Sequence, residues 1–302
     1  MTDSGSTTAP DSLNDSAIDS SVVTDSGIST DSGFTGVDSA TDSELCEEWI
    51  VCGDGATIEV IDEGDFDLVA GCTETEVSLG VGENYWVYDL DPLQCLQIVG
   101  FNLALKENGS LSDVSGLGRL HTVIGGFYVE SNNSLVDLAG MTSLTSVGQF
   151  NVKYNPVLRD LSGLENLTSL GAGGAYFNRN DLLLNLKGLK SLTEIEQGLV
   201  VSENPSLLSV EGLEGLEVAW SDLQLYENDS LVDLSGLQSL ELVAGHLDIF
   251  ENPALPNLDG LENLAEATAV EISDNATLSD LNGLTSLATV WLGLELSKND
   301  SL

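Results

Sequence analysis

LQLYENDSLVDLSGLQSLELV, residues 223–243, is one turn of a pattern that recurs along most of the chain. Generalised, it reads LxIxxNxxLxxLxGLxxLxxV, and its fixed point is Asn228. Asparagines hold the same place at Asn108, Asn132, Asn155, Asn180, Asn204, Asn228, Asn252, Asn275 and Asn299, 23 to 25 residues apart, each with a leucine three positions later. Eight residues after the first eight of them comes a glycine, at Gly116, Gly140, Gly163, Gly188, Gly212, Gly236, Gly260 and Gly283. A unit of this size has one apolar side that it cannot bury alone, so it is stable only when neighbours stack into a continuous core. The pattern predicts a solenoid, mainly β, of about nine coils of some 24 residues.

Each coil opens with a short alternation such as LeuAlaLeu at 103–105, LeuGlnLeu at 223–225 or LeuAspIle at 247–249. Period two marks a strand with one buried face. Copies one coil apart then pair in parallel, and nine of them at about 4.8 Å make a sheet roughly 40 to 45 Å long. After the asparagine, apolar residues fall at every third position, as in Leu111, Val114, Leu117, Leu120 and Val123. Period three suits a chain turning corners in short extended or 3₁₀ pieces, with the glycine expected where a corner needs a positive φ.

The ladder asparagines are expected to be buried at a turn, where an amide can both donate to and accept from backbone groups left unpaired. Asn108, Asn132 and Asn228 also lie in Asn-x-Ser acceptor sequences, but a buried side chain cannot carry a glycan; Asn166 and Asn14, outside the ladder, remain open as glycosylation sites. Five residues after each ladder position the column reads Asp113, Asp137, Asp160, Asn185, Ser209, Asp233, Asn257 and Asp280. A file of carboxylates could bridge calcium ions. Asn and Ser in the same file favour the other reading, in which the position needs a short acceptor for a turn or cap.

Fifty acidic against eight basic side chains give a formal net charge of −42. The lysines and arginines are scattered, so the basic footprint of a nucleic-acid binder is missing, and anionic membrane surfaces are disfavoured too. Such acidity fits solubility in salty water or attraction to cationic partners. No run of eighteen apolar residues is present, so no transmembrane segment is expected in this chain. Residues 1–44, rich in Ser, Thr, Asp and Gly, read as a disordered acidic stalk. Residues 45–100 read as an irregular cap and first coil, and 101–302 as the repeat solenoid, breaking off mid-coil with an open apolar edge that a missing cap or partner would cover.

The cap holds all four cysteines, Cys46, Cys52, Cys72 and Cys95. An even number crowded at one end predicts two disulfides and an oxidising compartment, with three connectivities open. The expected location is extracellular or at a cell surface. Because the first residues lack the basic and apolar regions of a signal peptide, an export signal or lipid anchor is expected in a missing N-terminal segment.

Recognition would fall to the outward positions of the repeated strand, which do not serve the core. The middle column is Ala104, Tyr128, Asn151, Tyr176, Val200, Gln224, Asp248, Glu271 and Glu295; the next is Lys106, Glu130, Lys153, Asn178, Ser202, Tyr226, Phe250, Ser273 and Ser297. Exposed aromatics among polar neighbours are typical of contact surfaces, which marks Tyr128, Tyr176, Gln224, Tyr226, Asp248 and Phe250 as the candidate binding face. Aromatics also favour strands for purely structural reasons. Catalytic patterns are missing: His121 and His246 lie five coils apart with no serine or cysteine motif, and no phosphate loop or zinc spacing occurs. No cofactor, metal or catalytic residue is expected.

Leucine stands three residues after the asparagine here, not two as in ordinary leucine-rich repeats, and it is followed by apolar residues at three-residue steps and a GlyxLeuxIle strand, as at Gly245, Leu247 and Ile249. That phasing resembles the receptor L-domain of insulin-receptor-like and epidermal-growth-factor-receptor-like ectodomains, and the related repeats of fungal cell-wall and bacterial surface proteins. Cys52, then a strand-like stretch, then GCTETEVSLGV at 71–81, is similar to that family's entry into its first coil. Over residues 46–302 the resemblance implies a right-handed β-helix-like solenoid and a Cys52–Cys72 bridge. It implies no ligand-binding residues, because no furin-like region, membrane span or kinase accompanies it. The function expected is a non-enzymatic surface recognition or adhesion module for a protein or glycan partner; the alternative is a structural envelope protein without a specific ligand.

Overall fold

The computed structural model describes Cys46 and residues 50–53, 55, 57–83 and 85–302; the acidic leader expected as a stalk, with Asn14, lies outside the described residues. The described chain is a parallel β-solenoid of about ten turns with leucine-rich-repeat-like packing. Its main ladder runs through Ile58–Val60, Leu79–Gly82, Leu103–Lys106, Thr122–Glu130, Ser146–Lys153, Ala175–Asn178, Leu199–Ser202, Leu223–Tyr226, Leu242–Phe250, Glu266–Ser273 and Thr289–Ser297, every pairing parallel. It therefore reaches back past the coil at Phe101 into the cap. The ruler also continues there in sequence, since Asn84 stands 24 residues before Asn108, although Asn84 itself is outside the described residues. A second parallel ladder, two residues wide, forms where the repeat ends in its valine column, for example Glu194–Ile195 on Val218–Ala219.

The alternation does what period two requires. Leu223 and Leu225 are buried, and so are their register partners Leu199 and Val201, Leu247 and Ile249. The period-three residues Leu111, Val114, Leu117, Leu120 and Val123 all face the same core. Ser115–Leu117, Ser235–Leu237 and Asn282–Leu284 are 3₁₀ turns. Phe127, Phe150 and Phe177 touch through three coils of the core, the first pair stacked with centroids 5.3 Å apart and the second edge-to-face at 5.6 Å.

The asparagine ladder carries the connections between coils. Asn204 Nδ2 donates to Phe177 O one coil back at 2.9 Å, to Ser202 O in its own coil at 2.9 Å, and to Asn228 Oδ1 in the next at 3.4 Å. Its Oδ1 accepts the backbone N–H of Asn180 at 3.0 Å. The backbone bond from asparagine N–H to the next coil's Oδ1 recurs at every step from Asn108 to Asn299. One side chain thus satisfies groups in three successive coils, which offsets the cost of burying these amides.

The residue just before each ladder position is left-handed. Glu83, Glu107, Ser131, Tyr154, Arg179, Glu203, Glu227, Glu251, Asp274 and Lys298 all have φ between 52 and 59°. That turn swings the chain out of the strand and aims the asparagine inward. The glycine column is different from expectation. Only Gly163, Gly188, Gly212 and Gly260 in it have positive φ, while Gly116, Gly236 and Gly283 lie within 3₁₀ turns. Close approach is the requirement they share: a Cβ at Gly116 would collide with Leu90 O, at Gly188 with Leu161 O, and at Gly283 with Leu258 O. The acceptor column behaves as a turn device, because Asp113, Asp137, Asp160, Asn185, Ser209, Asp233, Asn257 and Asp280 each accept the N–H two residues on.

In the cap, Cys46 is bonded to Cys95 and Cys52 to Cys72. Capping also uses Asp62, which accepts from Gly64 N–H at the start of the 3₁₀ helix Glu63–Leu68. At the other end, Leu294 and Leu296 continue core columns yet are 49% and 38% exposed, and Trp291 and Leu292 beside them also face solvent.

Replacing Asn204 by Leu removes donors and an acceptor from three coils, and at about 1–3 kcal/mol per stranded buried group the expected loss is about 3–5 kcal/mol. The same change at the half-buried Asn299, where water reaches the stranded groups, should cost less than half as much; urea midpoints of the two variants check the order. Opening the Cys52–Cys72 loop of 20 residues is expected to cost about 3 kcal/mol, and opening the Cys46–Cys95 loop of 49 about 4 kcal/mol, so paired Cys→Ala variants should rank by loop length in thermal melts.

Candidate binding face

The two outward columns expected from the ruler coincide with the observed register. Tyr128 pairs Asn151, Asn151 pairs Tyr176, and Gln224 pairs Asp248 in one column; Lys153 pairs Asn178, Ser202 pairs Tyr226, and Tyr226 pairs Phe250 in the other. Alternation puts both columns on the sheet surface, about 4.8 Å apart from coil to coil, so each side chain lies against its own counterparts above and below. For that reason Tyr128, Tyr176, Tyr226 and Phe250 are half-buried, not fully exposed as expected.

Asp248 departs further from expectation. It is only 8% exposed. Gln224 Nε2 donates to its Oδ2 at 2.7 Å, and His246 Nδ1 lies 4.0 Å from Oδ1 on its other side. Burial pushes its carboxyl above the usual aspartate range, against the opposing pull of the Gln224 hydrogen bond and the nearby His246. Asn151 is buried too, flanked by the two tyrosines.

The face divides into two chemically distinct halves. Toward the N-terminal end, each tyrosine carries a cation from the same chain: Lys106 Nζ lies 4.7 Å over the Tyr128 ring, Lys153 Nζ 5.1 Å over Tyr176, and the Arg179 guanidinium 5.2 Å over Tyr154. Lys106 also pairs with Glu130 at 3.0 Å and Arg179 with Glu203 at 2.6 Å. Partial burial lowers the basicity of Lys153, while neighbouring Glu130 partly restores it. Toward the C-terminal end, Tyr226 and Phe250 stack on each other at 4.7 Å with planes 5° apart, and the neighbouring outward residues are Glu227, Glu251, Glu271 and Glu295. Among the described residues none of these four glutamates is in an ion pair. Glu227 is held above the usual glutamate range, first by desolvation and then by the like charges of Glu203 and Glu251.

The left-handed column was not among the residues expected to face a partner. It lines the sheet edge beside both halves, with Tyr154 and Arg179 in one and Glu203, Glu227 and Glu251 in the other, and an open groove runs along it past Pro205 and Pro253. No sequence pattern marks the column, because its side chains vary; the left-handed backbone they share identifies it. A backbone that favours small residues there but carries long ones points to a side chain selected for what it presents outward.

No protein-family model and no curated protein matches the chain. Among solved structures an internalin from Listeria monocytogenes is similar, 17% identical with a TM-score of 0.40, over 78% of this chain and 77% of that one. The fold follows from the registers and packing described above.

An acid whose pKa is raised on folding stabilises the fold below its unfolded pKa and loses that contribution as pH rises through the folded value. Asp248 is in this position, so Asp248→Asn, which keeps the acceptor for Gln224, is expected to raise the melting temperature at pH 7. The gain should shrink as pH falls toward 4, and a difference that grows on acidification would contradict the assigned direction.

Proposed function

We propose that the protein is a non-enzymatic recognition or adhesion module that binds a protein or glycan partner through the outer face of its main parallel sheet. The observation that carries this reading is the rigid display of aromatic and polar side chains in fixed register, on positions the core does not use. Tyrosine beside charged and amide groups gives large contact area at low entropy cost, which suits recognition. Two disulfides support an oxidising, extracellular or cell-surface setting. Among the described residues no helix is long and apolar enough to cross a membrane. The three-residue leucine phasing and the Cys52–Cys72 bridge support a place among receptor L-domain-like repeats, with anchoring supplied by a lipid group or further segment.

A structural envelope role is favoured by one observation: in the N-terminal half of the face the chain's own cations already sit on the tyrosines, so those rings are partly satisfied from within. Surface plasmon resonance of the immobilised protein against arrays of extracellular proteins and glycans separates the two. Under the recognition reading a partner binds, and Tyr128→Ala, Tyr176→Ala and Tyr226→Ala together weaken it by more than about tenfold, as loss of central aromatic contacts does. Unchanged affinity in that variant would remove the sheet face as the site, and two silent arrays would leave the spacer role.

A further inference from the structure

Tyr226 and Phe250 cover one face of each other, so each has one ring face turned outward along the ladder. The next residues in their column are small: Ser202 beside Tyr226 and Ser273 beside Phe250. Ser202 is fully buried and its Oγ has no hydrogen-bond partner, and Oδ1 of its register neighbour Asn178 is buried and unpartnered as well. Both atoms are shut away from solvent, beneath the surface a partner would touch, so the feature a partner can read here is the aromatic pair itself, and lysine and arginine are the groups that aromatic faces attract.

The same molecule shows the arrangement completed elsewhere. In the N-terminal half, Tyr128, Tyr154 and Tyr176 each have a lysine or arginine of the chain over the ring, two of these cations also held by a glutamate. In the C-terminal half the rings and the glutamates recur, but among the described residues no cation of the chain reaches Tyr226 or Phe250. We infer that the part of the face from Leu223 to Ser273 docks a basic polypeptide segment of a partner, one of whose lysine or arginine side chains lies over the ring of Tyr226, with Glu227 and Glu251 at the rim. This rests on the recognition reading above and narrows it to one half of the sheet and one partner chemistry. The net charge of −42 steers such a segment toward the protein and turns away polyanions. The carboxyl of Glu227, raised first by desolvation and then by its like-charged neighbours, would be relieved by an incoming cation.

Because any strongly acidic protein attracts polycations, the test must separate rings from charge. A fluorescent nona-arginine peptide is titrated at about 150 mM salt, where long-range attraction is screened beyond about 8 Å. Tyr226→Leu with Phe250→Leu leaves net charge unchanged and is expected to weaken binding about 5- to 30-fold, the worth of two cation–aromatic contacts. Glu227→Gln with Glu251→Gln should weaken it more than Glu217→Gln with Glu241→Gln, which removes the same charge beside the short-strand ladder. Melting temperatures of all variants, and the exposed glutamate pairs as a second arm, guard against simple loss of folding. If the leucine variant binds as the parent does and both glutamine pairs act alike, attraction is diffuse and the site is refuted. Hydroxyl-radical footprinting then decides what else falls: a partner that protects Tyr128 and Tyr176 but leaves Leu223–Tyr226 and Leu242–Phe250 open would overturn the cationic site while the recognition reading stands.

Discussion

The hydrogen bond from each ladder asparagine to its neighbours one coil away is the constraint on which the rest depends. A chain leaving a strand through a left-handed residue strands an N–H and turns the next side chain inward. Only a short side chain with both donor and acceptor can meet the carbonyl of the preceding coil and the N–H of its own ladder at once, and asparagine is that side chain. The bond fixes coil height to strand spacing, so every other position in the repeat is forced into a column of its own kind. Leucines then fill the interior column by column, and glycine is required wherever the next coil's backbone comes within reach of a Cβ.

Stacking at strand spacing multiplies whatever a column contains. Apolar columns gain from this, since like packs on like in a dense core. Charged columns lose, because each carboxylate lies beside another. Glu203, Glu227 and Glu251 in succession are unfavourable for the folded chain by themselves, and among the described residues only Glu203 of the three is in an ion pair. A chain with eight cations in all has placed Lys106, Lys153, Arg179 and Lys298 along this one side, three of them clustered in the coils where the tyrosines are. The fourth, Lys298, is in the other half but is taken up by Asp274 at 3.0 Å, so the stacked rings there keep no cation of their own and the two halves are complementary to different partners.

The architecture was legible because its signals are periodic. The asparagine spacing, the alternation before it and the three-residue steps after it each translate into one geometric element, and the outward columns could be written down by counting. What counting missed was set by neighbours across coils. Asp248 reads as an outward residue in a strand, yet Gln224 and His246 on adjoining positions enclose it. The corner glycines read as residues needing positive φ, while half of them, Gly116, Gly140, Gly236 and Gly283, lack it and are there because the backbone of another coil, at Leu90, Ser115, Val210 and Leu258, leaves no room. The left-handed column was invisible as a site because its side chains vary, and variation inside a repeat looks like noise until the backbone shows that they share one edge.

That variation is where specificity can reside in a repeat protein. Positions that repeat are fixed by the needs of stacking and would be the same whatever the partner. Positions that differ between coils are released from stacking, so their differences carry information the fold does not require. On this sheet the difference is not random. Tyrosines with cations of their own occupy one end, and a stacked aromatic pair without them, beside carboxylates outside any ion pair among the described residues, occupies the other. The first arrangement is electrostatically closed; the second lacks only a positive donor, and a second chain is the ready source of one.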